Sequence, residues 1–100
     1  MVKLTVLYGH PTDPAAFERH YAETHLPLVA KIQGAERAEA SRVVGTPDGS
    51  PPAYYRIFEF WFASAEQMQA SMGSPEGQAA VADIPNYATG GATVLVSEVV

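Results

Sequence analysis

Cysteine is absent from the 100-residue chain, which rules out disulfides, thiolate metal sites and cysteine nucleophiles together. That absence suits a reducing compartment, and a cytoplasmic location is expected. Basic residues are scarce, six Lys and Arg against eleven Asp and Glu, giving a formal net charge of −5. The six form no cluster, so the basic footprint that a phosphate backbone requires is missing and nucleic acid is not an expected partner. Long apolar runs are missing too. The stretch Met1-Val2-Lys3-Leu4-Thr5-Val6-Leu7-Tyr8 is interrupted too early to act as a signal peptide or a membrane span. What is present is an apolar fraction of 47%, ordinary for one globular domain, here expected over residues 1–100.

Val2 to Gly9 reads as a strand, with Val2, Leu4, Val6 and Tyr8 on one face and Lys3, Thr5 and Leu7 on the other. Asp13-Pro14 supplies an N-cap and a proline at the first helical position. The helix that follows is expected to reach Lys31 or Ile32 and to stop at Gly34. Residues 35–45 predict an extended segment too polar for the middle of a sheet, hence an edge strand. Thr46-Pro47-Asp48-Gly49-Ser50-Pro51-Pro52 predicts a turn. Tyr54 to Phe62 predicts a strong strand, Ser64-Ala65-Glu66-Gln67 opens a helix with a capping-box pattern, and Ser74-Pro75-Glu76 opens another that ends near Asp83. Residues 86–91 read as a loop and Thr93 to Val99 as the last strand.

The order β-α-β-β-α-β predicts an α+β fold, a ferredoxin-like sandwich with a four-stranded antiparallel sheet and both helical layers on one face. The uncovered face would then carry Tyr55, Ile57 and Trp61 or their alternates, which is too apolar for water. A partner sheet is the economical cover, so a homodimer packed sheet to sheet is expected.

The stretch from Phe17 to Leu28 holds the main candidate. Phe17, Tyr21, Leu28, Val29 and Ile32 recur at helical spacing, and His25 follows Tyr21 by four on that inward stripe. Pro27 has no N–H for the carbonyl of Glu23, so the helix is expected to be irregular where His25 sits. A titratable ring there is a candidate site. A core histidine bonded to a backbone carbonyl is the competing reading. His20 and His25 are five apart, about 140° around an α-helix, so they are not expected to share a ligand face, and no metal site is expected. Gly90-Gly91 precedes a strand rather than a helix, which argues against a phosphate loop, and no nucleophile-elbow sequence is present.

Four stretches in order resemble the EthD family (named for ethyl tert-butyl ether degradation) of dimeric α+β barrel proteins. They are Leu4-Thr5-Val6-Leu7-Tyr8, Phe17 with Tyr21, His25, Pro27 and Leu28, then Glu59-Phe60-Trp61-Phe62, and Ser74 to Gln78 with Ala82 to Tyr87. Where such proteins often carry arginine or lysine after the first strand's tyrosine, this chain has Gly9-His10. The resemblance implies a dimeric α+β barrel. The superfamily includes cofactor-free monooxygenases, isomerases and cyclases acting on aromatic or polyketide-like molecules, and haem-binding members as well. No cofactor is expected here, with haem on His25 left open.

The expected pocket lies between the helices and the sheet. His25 would enter it as acid or base, its unperturbed pKa of about 6.5 being suited to that work. Tyr21 shares its stripe, while Tyr8, Tyr55 and Trp61 would contribute from strands to hold a small hydrophobic ligand, although strand parity leaves Tyr54 and Tyr55 undecided. Core packing is the competing reading for these aromatics. Asp83 sits near a helix C-terminus, where the macrodipole disfavours an anion, so it needs compensation from the Asn86-Tyr87 loop or from across the dimer. A structural tether is the expected role. Glu59, in an aromatic strand, is expected to be structural. Two functions follow: a cofactor-independent enzyme with His25 as acid/base, or a non-catalytic dimer holding a hydrophobic metabolite for a partner oxygenase system.

Overall fold

Apolar residues at every second position put the first strand in the middle of the sheet. In a computed structural model describing Met1–Val100, this strand, β1, spans Val2–Tyr8. After it come α1 (Pro14–His20), a π-helical turn (Tyr21–His25), α2 (Leu26–Ala30), β2 (Arg37–Arg42) and β3 (Arg56–Phe62). The chain ends with α3 (Ala65–Gly73), α4 (Pro75–Asp83), a 3-10 turn (Ile84–Asn86) and β4 (Ala92–Glu98). All strand pairs are antiparallel, in the order β2-β3-β1-β4. This is the expected ferredoxin-like α+β sandwich, with the polar strand β2 at an edge.

The helix starts follow the sequence signals. Asp13 accepts from the Ala16 N–H at 3.2 Å, Ser64 from the Gln67 N–H at 3.1 Å, and Ser74 from the Gly77 N–H at 3.1 Å. Each satisfies one of the N–H groups that a helix leaves without an internal partner. Before β2 the chain turns at Gly34, whose φ of +97° favours glycine.

The register pairs Leu4 with Phe60 and Val6 with Phe58. Together with Tyr8, Phe17, Tyr21, Phe62 and Met68 these side chains form the core between sheet and helices. Full burial of each such side chain contributes about 1.5–3 kcal/mol.

The same register puts Ile57 and Trp61 on the uncovered face, as expected, and corrects the reading of Trp61 as a pocket wall. Trp61 pairs with Lys3 and Arg37, so it faces away from the helices. The Lys3 ammonium lies 5.6 Å and the Arg37 guanidinium 4.9 Å from its ring centroid. Trp61 therefore cannot wall a pocket on the helix side. Glu59 shares that outer face and pairs with Lys3 at 3.0 Å. β3 also begins two residues later than expected, which releases Tyr54 and Tyr55 from strand alternation. Tyr55 turns to the helix side, its ring 5.1 Å from Phe17 and its hydroxyl donating to Glu18 at 2.9 Å. Tyr54 is exposed.

Candidate functional site

The site begins with Pro27. A proline has no N–H to close a helical turn, and the helix just ahead of it widens into the π turn Tyr21–His25, whose closing Leu26 N–H reaches the Tyr21 carbonyl. In a turn closed by i to i+5 bonds, residues five apart come onto one face. His20 and His25 accordingly point the same way, contrary to the α-helical spacing argument. Both reach one carboxylate: His20 Nε2 lies 2.8 Å from Asp83 Oδ1 and His25 Nδ1 lies 3.0 Å from Asp83 Oδ2.

Asp83 comes from the last turn of α4, which packs against α2. The compensation its position demands is present. Asn86, in the 3-10 turn that follows, donates to Oδ1 at 3.0 Å, and the two histidines complete the set. Burial pushes the Asp83 pKa up, but hydrogen bonds from Asn86, His20 and His25 outweigh it and hold the carboxyl below its ordinary value. Asp83 is thus ionised at neutral pH and accepts the proton on His25 Nδ1. Burial lowers the pKa of His25, which the Asp83 hydrogen bond only partly offsets. At neutral pH the ring is neutral, protonated on Nδ1, and its lone pair sits on Nε2. Nε2 has no hydrogen-bond partner within the chain.

Aromatic rings fix the imidazole in place. Tyr21 stacks on His25 at 5.7 Å with 17° between planes, and the Tyr87 ring lies 4.7 Å from it. Tyr87 also stacks against His20 and shares a 2.6 Å hydroxyl–hydroxyl bond with Tyr8. Burial raises the pKa of Tyr8, Tyr21 and Tyr87, so all three are neutral phenols. The Tyr21 hydroxyl is buried without a partner, while its ring lies under the Arg56 guanidinium at 4.8 Å. Arg56 is in turn bonded to Glu18 through Nε at 3.0 Å.

His25 and Tyr8 border a cavity of about 150 Å³ between α2, α4 and the sheet. Apart from His25 its lining is hydrophobic, including Val6, Val29, Ile32, Phe58 and Phe60. It opens beside Val81 and Val94, each about half exposed, at 50% and 51%. Haem does not fit, because a cavity of about 150 Å³ matches a benzene-sized guest and not a tetrapyrrole.

The EthD domain family model matches residues 9–91. The chain belongs to the EthD family. A Rhodococcus erythropolis relative, described as an uncharacterized 11.0 kDa protein in the thcB-thcC intergenic region, is 41% identical over 98% of this chain and 94% of its own length. The crystal structure of an EthD family protein from Bacillus halodurans superposes with a TM-score of 0.92 at 36% identity, covering 100% of this chain and 99% of that one. Two more distant structures share the fold alone. One is a dimeric protein of unknown function with a ferredoxin-like fold from Bacteroides fragilis (TM-score 0.69, 16% identity, 98% and 95% coverage). The other is SnoaB, a cofactor-independent oxygenase from Streptomyces nogalater (TM-score 0.65, 13% identity, 98% and 90% coverage).

In this EthD-family protein the expected site residues fall into three groups. His25, Tyr8 and Asp83 come together, with Tyr21 stacked behind the imidazole. Tyr55 packs on Phe17 of α1, whose ring also meets Tyr87, and bonds to Glu18 rather than to His25 or Asp83. Trp61 and Glu59 lie on the other face of the sheet. Sequence reasoning missed Tyr87 and His20 as parts of the site. Tyr87 stands in a loop with no periodicity to signal burial, and His20 reaches Asp83 only through the widened turn. The signal available for His20 was Pro27 and an Asp83 in need of donors.

Proposed function

We propose that this EthD-family protein is a cofactor-independent enzyme of small-molecule catabolism or secondary metabolism, with His25 as general base and acid. The observation that carries this reading is the 3.0 Å bond from His25 Nδ1 to an ionised Asp83. That bond orients the ring, leaves the Nε2 lone pair for a substrate, and stabilises the imidazolium that forms when Nε2 takes a proton. Removing a proton from a small hydrophobic or aromatic molecule leaves an electron-rich carbanion or enolate. An isomerase returns the proton to a different atom; a cofactor-independent oxygenase passes the electrons to dioxygen. The description of SnoaB as such an oxygenase supports the reaction class. A cysteine-free chain suits the cytoplasm.

The apolar lining of the cavity favours a second reading, a non-catalytic dimer that holds a hydrophobic metabolite for a partner oxygenase system. Solvent-deuterium exchange into carbon acids, followed by NMR for wild type and His25→Gln, separates the two. Exchange that falls by about 10²–10⁴ in the variant while ligand still raises its melting temperature supports catalysis. Ligand binding with no exchange in the wild type supports the second reading, and equal exchange by both proteins refutes His25 as base.

The working form is a homodimer joined through the sheet face that the helices leave bare. Supporting this, solved neighbours include a dimeric protein, and the face carries Leu7, Ile57, Trp61 and the half-exposed Leu95. Light scattering at micromolar concentration tests the arrangement. A dimer that Leu95→Asp dissociates supports it, and a wild-type monomer refutes it.

A further inference from the structure

Four properties of the cavity limit what it accepts. Its volume of about 150 Å³ is that of a single-ring guest. Its lining is hydrophobic apart from His25 and the phenol of Tyr8, and the Tyr8 hydroxyl is already paired with that of Tyr87 at 2.6 Å, so the imidazole is the place left for a ligand's polar group. With Nδ1 taken by Asp83 at 3.0 Å, the ring nitrogen left for a ligand is Nε2 with its lone pair, so the ligand's polar group has to be a donor. No cation borders the cavity, since the nearby Arg56 is bonded to Glu18. An anionic head would therefore lose its hydration without a counter-charge, in a chain already at −5.

We propose that the cavity takes a neutral, single-ring molecule with one hydroxyl, of the alkylphenol class. Its O–H donates to His25 Nε2, and its ring lies among Val6, Val29, Phe58 and Phe60. This rests on His25 presenting its Nε2 lone pair, and it adds the substrate class. A phenol is preferred over an aliphatic alcohol because its O–H is the more acidic donor and makes the stronger hydrogen bond to a neutral imidazole nitrogen. The bound phenol stays neutral, as Tyr8, Tyr21 and Tyr87 do around it, and its proton is shared with Nε2 in a hydrogen bond.

Isothermal titration calorimetry of the wild-type full chain at pH 7.5 tests the class with four probes. They are p-cresol, toluene (the same ring without the hydroxyl), 4-methylbenzoate (an anion) and anthrone (three rings). The expected order is p-cresol first, toluene about tenfold weaker for the lost hydrogen bond, and no binding of 4-methylbenzoate or anthrone. Equal affinity for toluene and p-cresol overturns the hydroxyl contact, and anthrone binding as tightly as p-cresol overturns the size limit. Failure of p-cresol to bind at millimolar concentration overturns the proposal as a whole. A variant that fills the space, Ala80→Leu, is expected to abolish p-cresol binding while circular dichroism shows the fold retained. Should that variant fail to fold, the wild-type series decides unaided. Deuterium exchange into a bound three-ring substrate, lost in His25→Gln, would refute the alkylphenol class and leave the general-base reading standing. The expected p-cresol affinity with no exchange would support the class and refute the base.

Discussion

Replacing Asp83 with Asn keeps the shape of the side chain and removes its charge, and so tests the centre of the site. Asp83 accepts three hydrogen bonds on two oxygens, from His20 and Asn86 on Oδ1 and from His25 on Oδ2. An amide has one accepting oxygen, so one side of the group turns from acceptor to donor. A hydrogen bond to a charged group contributes about 1.5–3 kcal/mol, and the groups left facing the amide lose part of theirs. The expected cost at pH 7 is about 2–4 kcal/mol, a fall in melting temperature on the order of 10–20 °C for a domain of this size. The pH dependence gives a second check. Asp83 titrates lower folded than unfolded, so its contribution is complete above its unfolded pKa and is lost as pH falls through the folded one. The gap between wild type and Asp83→Asn therefore closes only below about pH 4. His25 also titrates lower folded than unfolded. Its contribution is present above about pH 6.5 and declines below that, as the unfolded chain takes up a proton that the buried ring resists. Urea denaturation at fixed protomer concentration, from pH 3 to 8, measures both effects. An Asp83→Asn variant within about 0.5 kcal/mol of wild type at pH 7, inside the ordinary range for surface changes, would refute the shared-carboxylate account. So would a gap of equal size at pH 3 and pH 7.

Two further tests address the surrounding aromatic residues and the turn. Tyr87→Phe leaves the buried Tyr8 hydroxyl without its 2.6 Å partner and should cost about 1–3 kcal/mol; adding Tyr8→Phe should cost less than the sum, and strict additivity in denaturation would contradict the pairing. Pro27→Ala restores an N–H for the Glu23 carbonyl, so the turn can tighten and draw His20 and His25 apart. In NMR spectra the His25 Nδ1–H, held by Asp83 at 3.0 Å in the wild type, should shift or broaden in the variant; an identical signal in both proteins would show that Pro27 does not set the turn.

Much of the fold could be read from local chemistry. Asp13, Ser64 and Ser74 act as caps because their side chains reach N–H groups three residues on, a relation that needs no tertiary context. The polarity of Arg37–Arg42 placed β2 at an edge, because a central strand would bury those charges. The need of Asp83 for donors was legible from its place at a helix end. Trp61 was expected both on the uncovered face and in the pocket, because Phe58, Phe60 and Phe62 on one side of β3 and Ile57 and Trp61 on the other are both apolar sets. Alternation separates the two sets without saying which one meets the helices.

The sequence by itself determined the order of elements, the irregular helix at Pro27 and the inward stripe that carries His25, since each depends on residues within a turn or two of one another. Only the tertiary structure decided that Asp83 closes on His20 and His25, that Tyr87 caps the Tyr8 hydroxyl, and that one imidazole edge faces a small apolar cavity. The pairs concerned are 63, 58 and 79 residues apart, and they meet because α4 packs on α2 above the sheet. A hydrogen bond across that distance depends on how the layers stack, and no local spacing in the chain encodes it.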